Sequence, residues 1–122
     1  MKTRRTFLAS SAAAAAALAT RAWPARAANA PGVTETEIKI GQTMPYSGPA
    51  SAYGVIGRTE AAYFKMINKM GGINGRKINL ISLDDGYSPP KTVEQTRRLV
   101  EQDRVAFLFG SIGTPTNAAI LQ

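Results

Sequence analysis

The chain has 122 residues, with 15 Lys and Arg against 8 Asp and Glu, and neither His nor Cys. The missing Cys excludes disulfides, thiolate metal sites, cysteine nucleophiles and lipid-anchored cysteines, and the missing His excludes histidine general bases and His-ligated zinc. A net charge of +7 first suggests a nucleic acid or an anionic membrane as partner, and the length allows at most one modest domain.

The charge is concentrated at the start of the chain. Residues 1–27 hold Lys2, Arg4, Arg5, Arg21 and Arg26 and no acid, a share of +5. The remaining 95 residues hold ten bases and eight acids, a share of +2. A charged start precedes a weakly apolar run from Phe7 to Thr20 that contains the alanines Ala12 to Ala17. Trp23-Pro24 breaks the run, and Ala25-Arg26-Ala27 supplies an A-x-A pattern. This is the three-part form of an export signal. The apolar run, at 14 residues, is too short to cross a bilayer of about 30 Å as a helix. Arg4-Arg5 followed by Phe7-Leu8 and the alanine run resembles a twin-arginine export signal. An ordinary helix, a retained anchor and the general secretory route are the competing readings. Cleavage after Ala27 is favoured over cleavage after Ala30, which would leave Pro31 directly behind the scissile bond. A haem or iron–sulfur passenger does not fit a mature part without His or Cys.

Residues 28–36 are small and polar around Pro31-Gly32 and read as a flexible lead-in. Ile38 to Met44 reads as a strand with apolar residues at alternate positions. Pro45 to Ala52 is a loop. From Tyr53 to Met70 the spacing of Ile56, Tyr63, Met66, Ile67 and Met70 predicts a helix with those residues on its apolar face. Gly71-Gly72 ends it and Asn74-Gly75 makes a tight turn. Ile78 to Leu83 is a second strand, running into Asp84-Asp85-Gly86. Ser88 can cap the next helix, with Pro89 at its first position. That helix is expected to reach about Asp103 with Val93, Thr96, Leu99 and Val100 on one face. Val105 to Phe109 reads as a central parallel strand buried on both faces. Gly110 to Thr114 is a loop, and Pro115 opens a further helix. The alternation predicts an α/β fold with a doubly wound parallel sheet.

In such a sheet ligands bind beyond the carboxyl ends of the strands. Three loops fall there: Pro45–Tyr53, Asp84–Pro90 and Gly110–Thr114. The third leaves an apolar strand and enters a helix, so its amides and the Ser111 and Thr114 hydroxyls can receive a carboxylate. Equally, Ser111 and Thr114 could only cap the helix while Gly110 and Gly113 only allow the turn. Tyr53 could wall a pocket or pack against the sheet edge. Asp84 and Asp85, adjacent on a strand, point to opposite faces, so a turn or cap role fits better than an acid/base dyad. No phosphate-binding glycine motif is present. No metal site and no cofactor are expected.

Ile38-Lys39-Ile40-Gly41, Ser47-Gly48-Pro49-Ala50, Tyr53-Gly54, Gly71-Gly72-Ile73-Asn74-Gly75-Arg76-Lys77-Ile78 and Asp84-Asp85 occur in one order. That set closely resembles periplasmic solute-binding proteins of the branched-chain amino acid ABC transporter type, over residues 37–122. The resemblance implies two α/β lobes joined by a hinge, a ligand held in the cleft, and closure that signals to a membrane permease. It places Thr114 at the position whose hydroxyl and amide receive the ligand carboxylate, with Ser111 and Gly113 in the same loop. It places Tyr53 at an aromatic or variable position of the cleft wall, and Ser47 and Gly48 in the first-strand loop near it. The Gly110-Ser111-Ile112-Gly113-Thr114-Pro115 version departs from the Ser/Thr-richer loop of leucine binders. Relatives of this looser kind are associated with aromatic acids, amides and urea-like solutes. The ligand expected is therefore a small organic solute bearing a carboxylate: a branched-chain or other amino acid, or an aromatic or other organic acid. No catalysis, no nucleic acid and no stable membrane anchor after cleavage are expected, and the location implied is the periplasm. A ligand-sensing domain of a receptor or regulator with the same fold is the alternative, and a flavodoxin-like enzyme a third. Family members are much longer, so residues 37–122 are expected to form part of an N-terminal lobe in a truncated chain.

Overall fold

The computed structural model describes residues 30–121. The export-signal reading of residues 1–27 lies outside them. Strand β1 (Glu37–Met44) is followed by a 3-10 turn (Ser51–Tyr53) and helix α1 (Gly54–Lys69). Strand β2 (Lys77–Asp84) leads to helix α2 (Pro89–Arg97), which continues as a wide π-type turn over Arg98–Gln102. Strand β3 (Phe107–Leu108) and helix α3 (Thr114–Ile120) complete the order. The three strands pair in parallel in the order β2-β1-β3, with Ile38 opposite Ile78 and Ile40 opposite Phe107. Among the described residues no helix is long and apolar enough to cross a membrane.

Strand periodicity puts helices on both faces. Met44 meets α1 at Gly57 and Gln42 bonds Glu60 of α1, whereas Gly41 meets Leu99 and Thr43 bonds Ser111 on the other side. The helix α1 therefore covers one face, and α2 and α3, which pack on each other, cover the opposite one. The fold is the expected α/β arrangement around a parallel sheet. Residues 30–36 of the lead-in are tied to it: Gly32 accepts the Lys39 amide at 2.7 Å and Val33 bridges Ile38. Asn74 and Gly75 both take positive φ (49° and 78°) between the bridged Ile73 and Arg76, the tight turn expected of Asn-Gly.

Three expectations are corrected. First, the apolar face read for α1 is not the buried one. Ile56, Tyr63, Met66 and Met70 are exposed, and α1 packs through Gly57, Glu60, Phe64 and Asn68. The contact is built from a small residue and two polar ones, which hydrophobic periodicity does not score. Gly57 in particular has no room for a side chain: a Cβ there would stand 2.9 Å from Met44 Cγ. Secondly, the α2 helix widens at Arg98, so Leu99 is fully buried while Val100 turns outward. Thirdly, Val105–Phe109 is not a central strand. Only Phe107 and Leu108 join the ladder, β1 is the central strand, and Phe107 is 53% exposed at the sheet edge.

At the other edge α1 closes the sheet itself. Lys77 donates its amide to Thr36, so the next residue, Ile78, turns its amide and carbonyl outward. Asn68 meets both: its Oδ1 accepts the Ile78 amide at 2.8 Å, and its Nδ2 donates to the Ile78 carbonyl at 2.7 Å. The side chain takes the place of a neighbouring strand and blunts the free edge. Replacing Asn68 by Ala removes both bonds. The expected cost is about 1–3 kcal/mol at 0.5–1.5 per bond, read as a lower midpoint in urea denaturation.

Candidate functional site

The carboxyl ends of the three strands lie at one edge of the sheet, and the loops leaving them are fastened to one another. Asp84, the last residue of β2, anchors the first loop. Its Oδ1 accepts the amides of Tyr46 (2.9 Å), Ser47 (3.0 Å) and Gly86 (3.0 Å). Its Oδ2 accepts the Ser47 hydroxyl at 2.6 Å and the Lys91 ammonium at 3.0 Å. Burial alone would raise this carboxyl. The Ser47 hydroxyl, Lys91 and the two backbone amides outweigh it and hold Asp84 well below the usual carboxylate range.

Asp85 points to the opposite face, as adjacent strand residues must. It is fully buried and accepts the Thr92 hydroxyl at 3.0 Å and the Tyr87 amide at 2.9 Å, which ties the turn after β2 to the first turn of α2. Ser88 occupies the expected cap position but makes no side-chain cap bond; Pro89 and Pro90, which carry no amide hydrogen, open the helix without needing one. The two carboxylates thus anchor the loop and turn beyond β2 and form no acid/base dyad.

The third loop, Phe109–Gly113, is held from several sides. The Ser111 hydroxyl lies 3.1 Å from Thr43 Oγ1 and 3.4 Å from the Thr43 amide, a donor to it. Asn117 donates to the Ser111 carbonyl, and Thr116 Oγ1 reaches the Ile112 and Gly113 carbonyls. The fully buried Gln42 donates to the Gly110 carbonyl at 3.5 Å and also to Glu60, while its Oε1 accepts the Ser82 hydroxyl at 2.8 Å. Ser82 in turn shares a 2.6 Å bond with the Tyr46 hydroxyl, and Arg58 lies 5.8 Å over the Tyr46 ring. This polar row satisfies groups that would be costly to bury alone. It links β1, β2, α1 and two of the loops. Buried Gln42 gave no sign of this in a strand read by alternation.

Of the four residues singled out from sequence, Ser111, Gly113 and Thr114 fall together in this third loop, and Tyr53 stands apart. Tyr53 ends the 3-10 turn and is 56% exposed, so it is not packed on the sheet edge. Ser111 spends its hydroxyl on Thr43. Thr114 is the first residue of α3 and exposed, and neither its amide nor its hydroxyl bonds another described residue. Gly113 has φ +109°, a conformation that side chains rarely allow. A Cβ on it would stand 2.6 Å from the ring of Tyr87. Tyr87, missed from sequence, joins the second loop to the third. No group of His, Cys, Asp and Glu among the described residues could hold a metal ion.

Residues 37–122 match the family model described as periplasmic binding protein. The chain is 36% identical over 77 residues to an amino acid binding protein of Pseudomonas aeruginosa, covering 61% of this chain and 20% of that one. It is 34% identical over 76 residues to the leucine-, isoleucine-, valine-, threonine- and alanine-binding protein of the same organism, covering 62% and 20%. Among solved structures it is similar to a fatty acid ABC transporter substrate-binding protein from Thermomonospora curvata. There the TM-score is 0.67 and the identity 29%, over 77% of this chain and 24% of that one. It is also similar to a branched-chain amino acid transporter substrate binding protein from Streptococcus pneumoniae in complex with isoleucine. That match has a TM-score of 0.64 and 30% identity, over 70% and 25%. The chain spans about a fifth of the length of these curated relatives.

Proposed function

The chain belongs to the periplasmic binding protein family, and on that premise we propose that it is part of the N-terminal lobe of an extracytoplasmic solute-binding protein. In this reading it helps capture a small organic solute for an ABC importer and presents it to the membrane permease. It is a binder and not an enzyme, in keeping with relatives named as binding proteins. Residues 1–27 would serve as the export address and the mature protein would work in the periplasm. The solute class we propose is a carboxylate with an apolar body. Branched-chain amino acids and fatty acids, named for the relatives above, both fit that class.

The observation that carries the reading is the state of Thr114. Its amide and hydroxyl bond no described residue, while the loop that leads to it is held by Thr43, Gln42, Asn117 and Thr116. A donor pair held in place before the ligand arrives loses little freedom on binding. Ser111 supports the loop from behind, Gly113 gives it its turn, and Tyr53 supplies an exposed aromatic on the first loop.

Substituting Thr114 by Ala removes one hydroxyl donor to a charged group, worth about 1.5–3 kcal/mol, or roughly a ten- to hundredfold weaker Kd. Equilibrium dialysis of the protein with its carboxylate solute measures it. An unchanged Kd would remove Thr114 from the site.

A further inference from the structure

The family resemblance places Tyr53 on the cleft wall, but the structure seats a different tyrosine against the Gly110–Thr114 loop. Tyr87 has φ +61°, a left-handed backbone that a bulky residue seldom adopts. Strain of that kind persists where the surroundings enforce it, and it gathers at functional sites. The Asp85 carboxylate holds the Tyr87 amide at 2.9 Å and so fixes the turn. The result is a ring that fills the space a side chain on Gly113 would need, with Cε2 2.6 Å from the Cβ position. The Tyr87 hydroxyl is neither hydrogen-bonded to a described residue nor among the buried unpaired atoms. An aromatic ring and a free phenol thus stand one residue from Thr114, whose own donors are unpaired.

We propose that Tyr87 is a specificity-determining residue of the solute site, its ring lying against the apolar body of a small carboxylate and its hydroxyl hydrogen-bonding the solute. The proposal rests on the solute-binding reading above.

The test is calorimetric titration of the wild-type protein, Tyr87→Phe and Tyr87→Ala with the proteinogenic amino acids, benzoate and octanoate, with thermal midpoints measured in parallel. Phenylalanine keeps the packing on Gly113 and removes only the hydroxyl. The expected result is that Tyr87→Phe weakens binding of the wild-type ligand about three- to tenfold at an unchanged midpoint, and Tyr87→Ala weakens it further. Wild-type affinity in Tyr87→Phe would overturn the proposal while leaving the solute-binding reading intact, since a ring that only packs would not register the loss. A wild-type protein that binds none of these acids would overturn the solute-binding reading and this proposal with it.

Discussion

Replacing Leu99 by Ala is expected to destabilise the protein by about 2–5 kcal/mol, the range for truncating a buried leucine. Leu99 is fully buried, and its two methyl carbons come within 3.2 Å of the Cβ position of Gly41 on β1. Its carbonyl accepts the amide of Val105, whose side chain lies over the same glycine. The side chain is the peg between the central strand and the segment leading into β3. Gly41 leaves a hollow on the strand that Leu99 fills together with Val105. The loss includes both the transfer of the removed methyl groups and the cavity left behind. Chemical denaturation gives the figure as a lower midpoint at an unchanged slope. Since native domains are stable by only about 5–15 kcal/mol, much of the stability that remains would go with it. The consequence for the site is indirect but large, because Leu99 holds the β1–β3 pair from which the Gly110–Thr114 loop departs. A loss below 1 kcal/mol would mean that Leu99 is not packed as described.

The second large effect is at Asp84. Alanine there leaves three backbone amides, the Ser47 hydroxyl and the Lys91 ammonium without their shared acceptor. Hydrogen bonds to a charged group are worth about 1.5–3 kcal/mol each, but water reaches this partly exposed carboxylate and replaces part of the loss. A destabilisation of about 2–4 kcal/mol is expected, together with faster hydrogen exchange at Tyr46, Ser47 and Gly86. Asn is the informative partner substitution. With its oxygen in the Oδ1 position it keeps the three amide bonds, and its NH2 faces Ser47, whose hydroxyl can turn to accept, and Lys91, which loses its acceptor. Asp84→Asn should therefore fall between wild type and Asp84→Ala.

The pH dependence has a definite sign. The folded-state carboxyl of Asp84 is depressed below its ordinary value of 3.8. A depressed acid contributes stability that is complete above the unfolded value and is lost as pH falls through the folded one. The gap between wild type and Asp84→Asn should be full at neutral pH, begin to shrink below about pH 4, and keep closing with further acid. A gap that widens in acid would show that Asp84 is not held ionised by these partners.

Much of the fold is local, and was legible for that reason. The alternation in Ile38–Lys39–Ile40, the Gly71-Gly72 helix stop, the Asn74-Gly75 turn and Pro89 at a helix start each act within a few residues of themselves. What sequence reasoning missed depends on residues distant in the chain. The run Val105–Phe109 reads alike in the centre of a sheet and at its edge, and only the pairing of β1 with both neighbours decides. The buried side of α1 was illegible because it consists of Gly57, Glu60 and Asn68 beside Phe64, and polar burial there depends on Gln42 and Ile78. For the candidate site, the turn between β3 and α3 was legible from Gly110, Gly113 and Pro115, but the division of labour among its side chains was not. That Ser111 turns to Thr43 and that Tyr87 rests on Gly113 follow from two loops meeting. Neither pattern nor propensity records such a meeting. The +7 charge, which first pointed to polyanions, falls largely to residues 1–27, and the remaining +2 makes no such demand.

Thermal-shift screening of the protein against amino acids, aromatic acids, fatty acids and uncharged amides tests most directly whether this site takes a small carboxylate. A ligand that binds only the folded state raises its stability by mass action, about 2.7 kcal/mol at a hundredfold excess over Kd. The predicted result is a concentration-dependent rise in Tm with at least one carboxylate solute, which Thr114→Ala shifts to roughly ten- to hundredfold higher concentrations. A rise with uncharged amides alone, or a rise that survives Thr114→Ala undiminished, would contradict it.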